Sequence, residues 1–576
     1  MKFSFLVFLT SVLCSATVLS AQTAPKSILL QNNIWSENFE VPAGGRPNPF
    51  LLSDSDYAIY KNKGKLHTQR YPLEITGMLP PYEPIKNFFD IDFDNPFRQF
   101  LQTFVKGLAR IESFDDVLKW IGLQPYPLET DTGVYSVPYP NDQRPDYGLG
   151  FGVIEKTFED QSTGNGFSIS CAACHAGRLF GKTVLGLSNR FPHANEVFIR
   201  AKLVMPFASD TVFKLTSGAS KNEANMLKDL KSNLKSVGVN KPLVLGLDSS
   251  LAQVSLSLSL REEDPWATKS SFLQRNPHPD YFDNNSADSK PAVWWNLKYK
   301  NRWLSDGSIV SGNPIFTNIL WNEIGRGVDL PELDQWLQKN DKTIQELTTA
   351  VFSMEAPSYS DFFDVSHLSL EDLKHGEKVF NKTCSGCHGK YEKAWNDPLY
   401  IEALQSGKIQ FKDFLKTILV KYHKKTPIVE VGTDPMRYLG MKALEKLNNL
   451  QISKNNGTVV KVQMGYVPPP LVGIWARWPY FHNNSVPSLC AVLTKASSRP
   501  ITFQPVEAND PANDFDQECN GYPLSDNIPK DKQSFYDTRK QGLSNSGHDE
   551  GIFLDNGQEI LSQYDKNSLI LFLKTL

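Results

Sequence analysis

Cys171-Ala-Ala-Cys174-His175 and Cys384-Ser-Gly-Cys387-His388 decide the reading of this chain. Both are C-x-x-C-H, the pattern that attaches c-type haem. Two thiols three positions apart meet the two vinyl groups of one porphyrin as thioethers. The histidine that follows lies under the ring and becomes the proximal iron ligand. With this composition, one such pentad arises by chance about 0.002 times in a chain of this length. Paired C-x-x-C motifs also hold zinc or carry thiol redox chemistry, but a histidine directly after each pair favours haem. The expectation is two covalent haems, with Cys171, Cys174, Cys384 and Cys387 as attachment points and His175 and His388 on the irons.

Three further cysteines complete the set of seven. Cys14 falls in a basic start, an apolar run from Phe3 to Leu13 and small residues up to Ala21, which predicts a secretory signal over 1–21. Haem of this type is attached outside the cytoplasm, so the two signals agree on a periplasmic or secreted protein without stable membrane insertion. Cys490 and Cys519 form an even pair in an exported chain, and a disulfide is the ordinary reading.

Composition removes other classes. Of 576 residues, 40% are hydrophobic and 11% aromatic, enough for sizeable cores and unlike a disordered chain. Lys+Arg 60 against Asp+Glu 63 gives a net charge of -3, which offers no basic footprint for nucleic acid.

The pentads lie 213 positions apart, room for one haem per domain. We expect a mainly α protein: an N-terminal extension over 22–150, a first cytochrome c-like haem domain over 151–364 and a second over 365–576, with long loops. Asn95-Pro96 predicts a capped helix whose stripe of Phe97, Phe100, Leu101, Phe104, Val105 and Leu108 packs into a core. The remainder of the extension is Pro- and Tyr-rich and predicts long loops. A helix is expected over Asp341 to Met354, stopped near Pro357. Ser/Leu alternation within Leu243 to Leu260 suggests a short strand or hairpin. Ser369-Leu-Glu-Asp372 predicts the helix that leads into Cys384. Leu569, Ile570, Phe572, Leu573 and Leu576 predict a closing helix that clasps the second haem with it.

Leu471-Val-Gly-Ile-Trp475, Pro479-Tyr-Phe-His-Asn-Asn-Ser-Val-Pro487, Asp537-Thr538 through Asn545-Ser-Gly-His548, and the closing Phe572-Leu-Lys-Thr-Leu576 resemble the bacterial di-haem cytochrome c peroxidase and MauG superfamily. The likeness covers most of 365–576 and is weaker around the first pentad. The wide pentad spacing and the long N-terminal extension make the chain more similar to the large branch of secreted rubber oxygenases (RoxA and RoxB type). That branch implies an O2-reactive first haem and a bis-His second haem for electron transfer.

The same resemblance proposes the remaining site residues. It implies His548 as second ligand of the second iron, with His482, Met464 and Met441 as alternatives. A Trp near an Asp-Gly pair relays electrons between haems in the peroxidases, which points to Trp303 or Trp295 near Asp306-Gly307. Glu323-Ile-Gly325 is similar to the peroxidase stretch whose Glu is the distal acid, a general acid–base role. Phe316, seven residues earlier, would share a helical face with it and resembles the apolar distal residue of the rubber oxygenases. Calcium sits between the domains of many peroxidase relatives, so one calcium ion is a further expectation, although no dense carboxylate loop calls for it.

Three functions follow. One is a haem enzyme using O2 to cleave an apolar olefin such as polyisoprene, or using H2O2 as a peroxidase. Another is a plain electron carrier. The third is an exported sensor that uses haem structurally. A small redox protein would serve as electron donor.

Overall fold

The computed structural model describes residues 52–576, apart from 159, 208, 210–212, 215, 216, 312 and 526. The signal expected over 1–21 lies outside these residues. The chain is helix-rich, and among the described residues the strands form only two-stranded antiparallel pairs. One apolar cluster joins side chains from Tyr71 to Leu576, with the Trp295, Trp303, Trp475 and Trp478 indoles inside it. Among the described residues no helix is long and apolar enough to cross a membrane.

Both pentads sit on short helices delivered by regular structure. The antiparallel hairpin of Phe151–Thr157 and Thr163–Ile169 feeds the helix Cys171–His175. A second hairpin, Ala176–Leu179 with Lys182–Leu185, carries the chain away. The helix Leu370–Thr383 starts on Ser369, whose side chain accepts the Asp372 N–H, and runs into Cys384 as expected. The closing helix Gln563–Lys574 packs across it. At their crossing a Cβ on Gly376 would stand 2.0 Å from the Ser568 carbonyl oxygen, so only glycine allows this approach. The helix Asp341–Phe352 also forms where expected.

Three readings are corrected. The first concerns the segment of Ser/Leu alternation, which is helical: Ser250–Leu258 has Leu251 to Leu258 buried. A helix buried on every side shows no amphipathic period. Its serines pass as core residues because each hydroxyl is bonded: Ser255 to Asp280 (2.7 Å) and Ser257 to the Gly238 carbonyl (3.4 Å).

The second concerns the described part of the extension, which carries three helices besides the expected one, joined by long loops. Its helices are Asp54–Arg70, Tyr82–Asp90, Pro96–Ala109 and Phe114–Ile121. The first of these lies along Asp341–Phe352, tied by His67 to Glu346 at 2.8 Å.

The third concerns Pro96–Ala109. The helix forms, with Asn95 accepting the Phe97 and Arg98 N–H groups. Its aromatic stripe faces outward, however: Phe97 is 62% exposed, Phe100 65% and Phe104 46%. The anchored side is that of Gln102, which donates to the carbonyls of Phe88 (2.7 Å) and Ile91 (2.8 Å). Polar groups that need partners set the helix orientation here, rather than its apolar stripe. The Leu108 side chain lies outside the described residues.

Candidate functional site

Both pentads open into one cavity of about 710 Å³, with Cys171, Cys174, His175, Cys384, Cys387 and His388 on its wall. The four thiols are free. Burial pushes the Cys171 thiol up to about 11 and the Cys384 thiol up to about 12. Among the described residues no cluster of three or more His, Cys, Asp or Glu is placed to hold a metal ion.

Each pentad histidine is oriented the same way. Nδ1 of His175 meets the Ala292 carbonyl at 2.9 Å, and Nδ1 of His388 meets the Pro469 carbonyl at 2.8 Å. A carbonyl can only accept, so Nδ1 carries the proton in both rings and Nε2 keeps its lone pair. This is the usual outer-shell arrangement of a metal-ligating histidine. Trp294 lies beside the His175 ring, centroids 5.1 Å apart.

The second pentad has a facing partner. The rings of His388 and His548 stand 6.3 Å apart, centre to centre. An imidazole nitrogen binds a metal at about 2 Å, so two rings on either side of one ion stand roughly 6 Å apart. The turn that carries His548 is built for this. A Cβ on Gly547 would lie 2.3 Å from the Gly432 carbonyl carbon, so glycine permits the backbone approach. The His548 N–H then donates to the Val431 carbonyl at 2.8 Å, and Arg499 holds the Asn545 and Gly547 carbonyls. Of the alternatives, Met464 is 65% exposed and Met441 is fully buried in the core. His482 stacks on Tyr466 with ring centroids 4.0 Å apart.

The first pentad has different surroundings. The histidines on the cavity wall, among the described residues, are His175, His388, His482 and His548. The helix Pro314–Gly325 lends Pro314, Ile315, Asn318, Ile319, Trp321, Asn322 and Gly325 to that wall. Phe316 and Glu323 share another face of this helix, fully buried and off the wall. Glu323 receives the Thr76 hydroxyl at 3.1 Å and lies 3.7 Å from Arg326. Burial raises its pKa, and its Oε2 has no partner. Tyr71 and Arg326 bring this cluster to the cavity, the guanidinium 4.1 Å above the Tyr71 ring. Trp303 stands on the wall of the shared cavity. Trp295 lies behind it, its indole N–H on the Val472 carbonyl at 2.9 Å.

The cavity also collects cations that sequence reasoning missed. Lys290, Lys300 and Arg477 line it, Lys300 buried and the other two half-buried. Lys290 donates to the Pro479 carbonyl at 2.7 Å, Arg477 donates to the Pro470 carbonyl at 2.9 Å, and the Arg477 Nε has no partner. Burial lowers Lys300 to about 8 and Arg477 to about 10. Buried cations are costly unless an anion meets them. Haem carries two propionates, so this wall fits such a group. The available signal was Leu297-Lys-Tyr-Lys300, lysines interleaved with core residues.

Residues 465–504 match the family model described as RoxA-like, cytochrome c-like. This RoxA-like segment contains Pro469, Arg477, His482 and Arg499. It therefore supplies the carbonyl that orients His388, one cation of the cavity and the clamp on the His548 turn. A cytochrome c-like domain of this type implies a c-type haem with its iron. Uncharacterized protein y4iJ of Sinorhizobium fredii (strain NBRC 101917 / NGR234) is 37% identical over 130 residues, 22% of this chain and 20% of that protein. Uncharacterized protein y4iM of the same organism is 37% identical over 99 residues, 16% of this chain and 21% of that protein. The chain thus spans about a fifth of the length of these relatives.

Proposed function

We propose that this chain is an exported di-haem c-type cytochrome oxidoreductase with one open and one closed haem site. The observation that carries this is an asymmetry. His548 faces His388 at ligand spacing, whereas the wall that Pro314–Gly325 lends to the cavity is Pro314, Ile315, Asn318, Ile319, Trp321, Asn322 and Gly325, none of them a usual iron ligand. When bound, the first haem supplies redox chemistry towards O2 or peroxide and the second supplies electron transfer.

The protein's own part is positioning. Ala292 and Pro469 hold the proximal imidazoles by their Nδ1 protons. Gly547 and Arg499 set His548. Lys290, Lys300 and Arg477 line the cavity where they would meet carboxylate groups of the cofactors. Trp303 borders the shared cavity, where an indole can relay electrons between the sites, and Trp295 backs it.

For the reaction we favour dioxygenase-type cleavage of an apolar olefin such as polyisoprene. The support is the apolar lining of the cavity, which includes Phe89, Phe114, Trp120 and Phe198. Phe316 then shapes the first site from behind Ile315 and Ile319. Peroxide reduction is the second reading, and one observation favours it. Glu323 is a buried carboxyl held towards its protonated form, with Tyr71 between it and the cavity. Such a pair can deliver a proton.

Electron paramagnetic resonance of the exported, haem-loaded protein, before and after H2O2, tests this. One low-spin site and one open site are expected. Conversion of the open site by peroxide selects the peroxidase. An open site indifferent to peroxide, with O2-dependent products from an olefin, selects the dioxygenase. Two low-spin sites that ignore peroxide would reduce the protein to an electron carrier. Phe316→Ala and Glu323→Gln should alter turnover of the open site, and unchanged kinetics would remove both from the mechanism.

A further inference from the structure

We propose that the surface around Cys384–His388 is the docking face for a small acidic electron-carrier protein. This rests on the reading of that pentad as a haem site. The two pentads differ in exposure. Ala172 and Ala173, the middle of the first, are fully buried. In the second, Gly386 is exposed, and a Cβ there would project into open space. The second pentad therefore reaches solvent, where a carrier can approach it.

Lysines gather around this point. Residues 370–425 hold eleven lysines and seven acidic residues, in a chain whose net charge is -3. Lys374, Lys378 and Lys382 follow one another at four-residue spacing along Leu370–Thr383, all exposed. They leave the helix just before Cys384. Like charges at this spacing destabilise a helix. Beyond the pentad, exposed Lys390 is the direct cross-strand partner of exposed Lys421. Like charges directly opposite also destabilise a sheet. Glu392 relieves Lys421. Among the described ion pairs none includes Lys378, Lys382, Lys390 or Lys425. His423 fixes the following loop to the pentad, its Nε2 at 3.0 Å from the Cys387 carbonyl, and Lys425 is exposed two residues on.

Two separate elements thus keep mutually repelling lysines beside one haem pentad. An acidic partner removes that repulsion and is steered to the site by it. The footprint argues for a protein over a small anion. Eight helical steps from Lys374 to Lys382 span about 12 Å, before the hairpin is added. The carrier gives up one electron and is oxidised, the second haem iron is reduced by one, and no bond or proton changes hands. Peroxide reduction consumes two electrons per turnover and requires such an entry; dioxygenase cleavage is electron-neutral and uses it only to bring the iron to its reduced starting state.

The experiment uses the haem-loaded protein and flavodoxin, an acidic one-electron carrier, as probe. Stopped-flow mixing follows reduction by reduced flavodoxin, and calorimetry follows binding of oxidised flavodoxin. Between about 20 and 300 mM salt the rate should fall at least tenfold. The K382E/K390E/K425E variant should lose about tenfold at low salt and weaken binding equally, with an unchanged haem spectrum. The corresponding Gln variant should fall between the two. A salt-independent rate, or equal rates for wild type and the Glu variant, would overturn the proposal. Failure of the haem reading shows separately as missing haem absorbance, and the calorimetric titration then still reads the lysine surface.

Discussion

His388 and His548 face each other across 6.3 Å although 160 positions separate them in the chain. That spacing suits two imidazoles on one metal ion. His548→Ala in the haem-loaded protein should convert the second site from low-spin to high-spin, visible in electron paramagnetic resonance and in the optical spectrum. Haem content should stay at two per chain, because the thioether bonds are untouched. An unaltered low-spin signal would show that another side chain holds that position.

The buried cations make a second prediction. Arg477→Met keeps the bulk of the side chain and removes its charge. Removing one partner of a buried charge pair costs about 3–5 kcal/mol. Haem loading during export should fall well below half of wild type, read as haem absorbance per protein. Full loading would argue against carboxylates of the cofactor at this wall.

Asp288 supplies a pH signature. Burial, then the neighbouring Asp248, raises its pKa from 3.8 to about 7. A raised folded pKa stabilises below the unfolded value and loses that contribution as pH climbs through the folded one. The protein should therefore weaken between about pH 4 and 7. The shift corresponds to about 4 kcal/mol at most. Asp288→Asn cannot ionise, so its melting temperature should exceed wild type at pH 8 and approach it at pH 4. Parallel pH profiles for the two proteins would contradict this.

Cys490 and Cys519 are joined by a disulfide that spans 29 positions. Closing a loop of this length contributes about 3–4 kcal/mol. Asn520, directly after the bridge, donates to the Trp475 carbonyl at 2.8 Å and to the Tyr480 hydroxyl at 2.7 Å. Replacing both cysteines with serine should lower the melting temperature by several degrees, with the haem spectrum least affected at the first site. A melting temperature equal to wild type would place the cross-link outside the cooperative core.

The pentads, the helix before Cys384 and the closing helix were legible in the linear sequence, because each depends on neighbours within one or two turns. Haem attachment is local chemistry: three side chains in five positions. Tertiary structure alone decided the rest. The outward turn of Phe97, Phe100 and Phe104 follows from Gln102 finding two carbonyls, which no periodicity records. The buried helix Ser250–Leu258 looked like a strand because burial on all sides erases the helical period. The cavity cations and the Tyr71–Glu323–Arg326 cluster draw on segments hundreds of residues apart, so no short window contains them. His548 reaches His388 only through a glycine turn lodged against Gly432. Covalent motifs are written in adjacent residues. The surroundings of each pentad histidine come from long-range packing, which a sequence specifies but does not display.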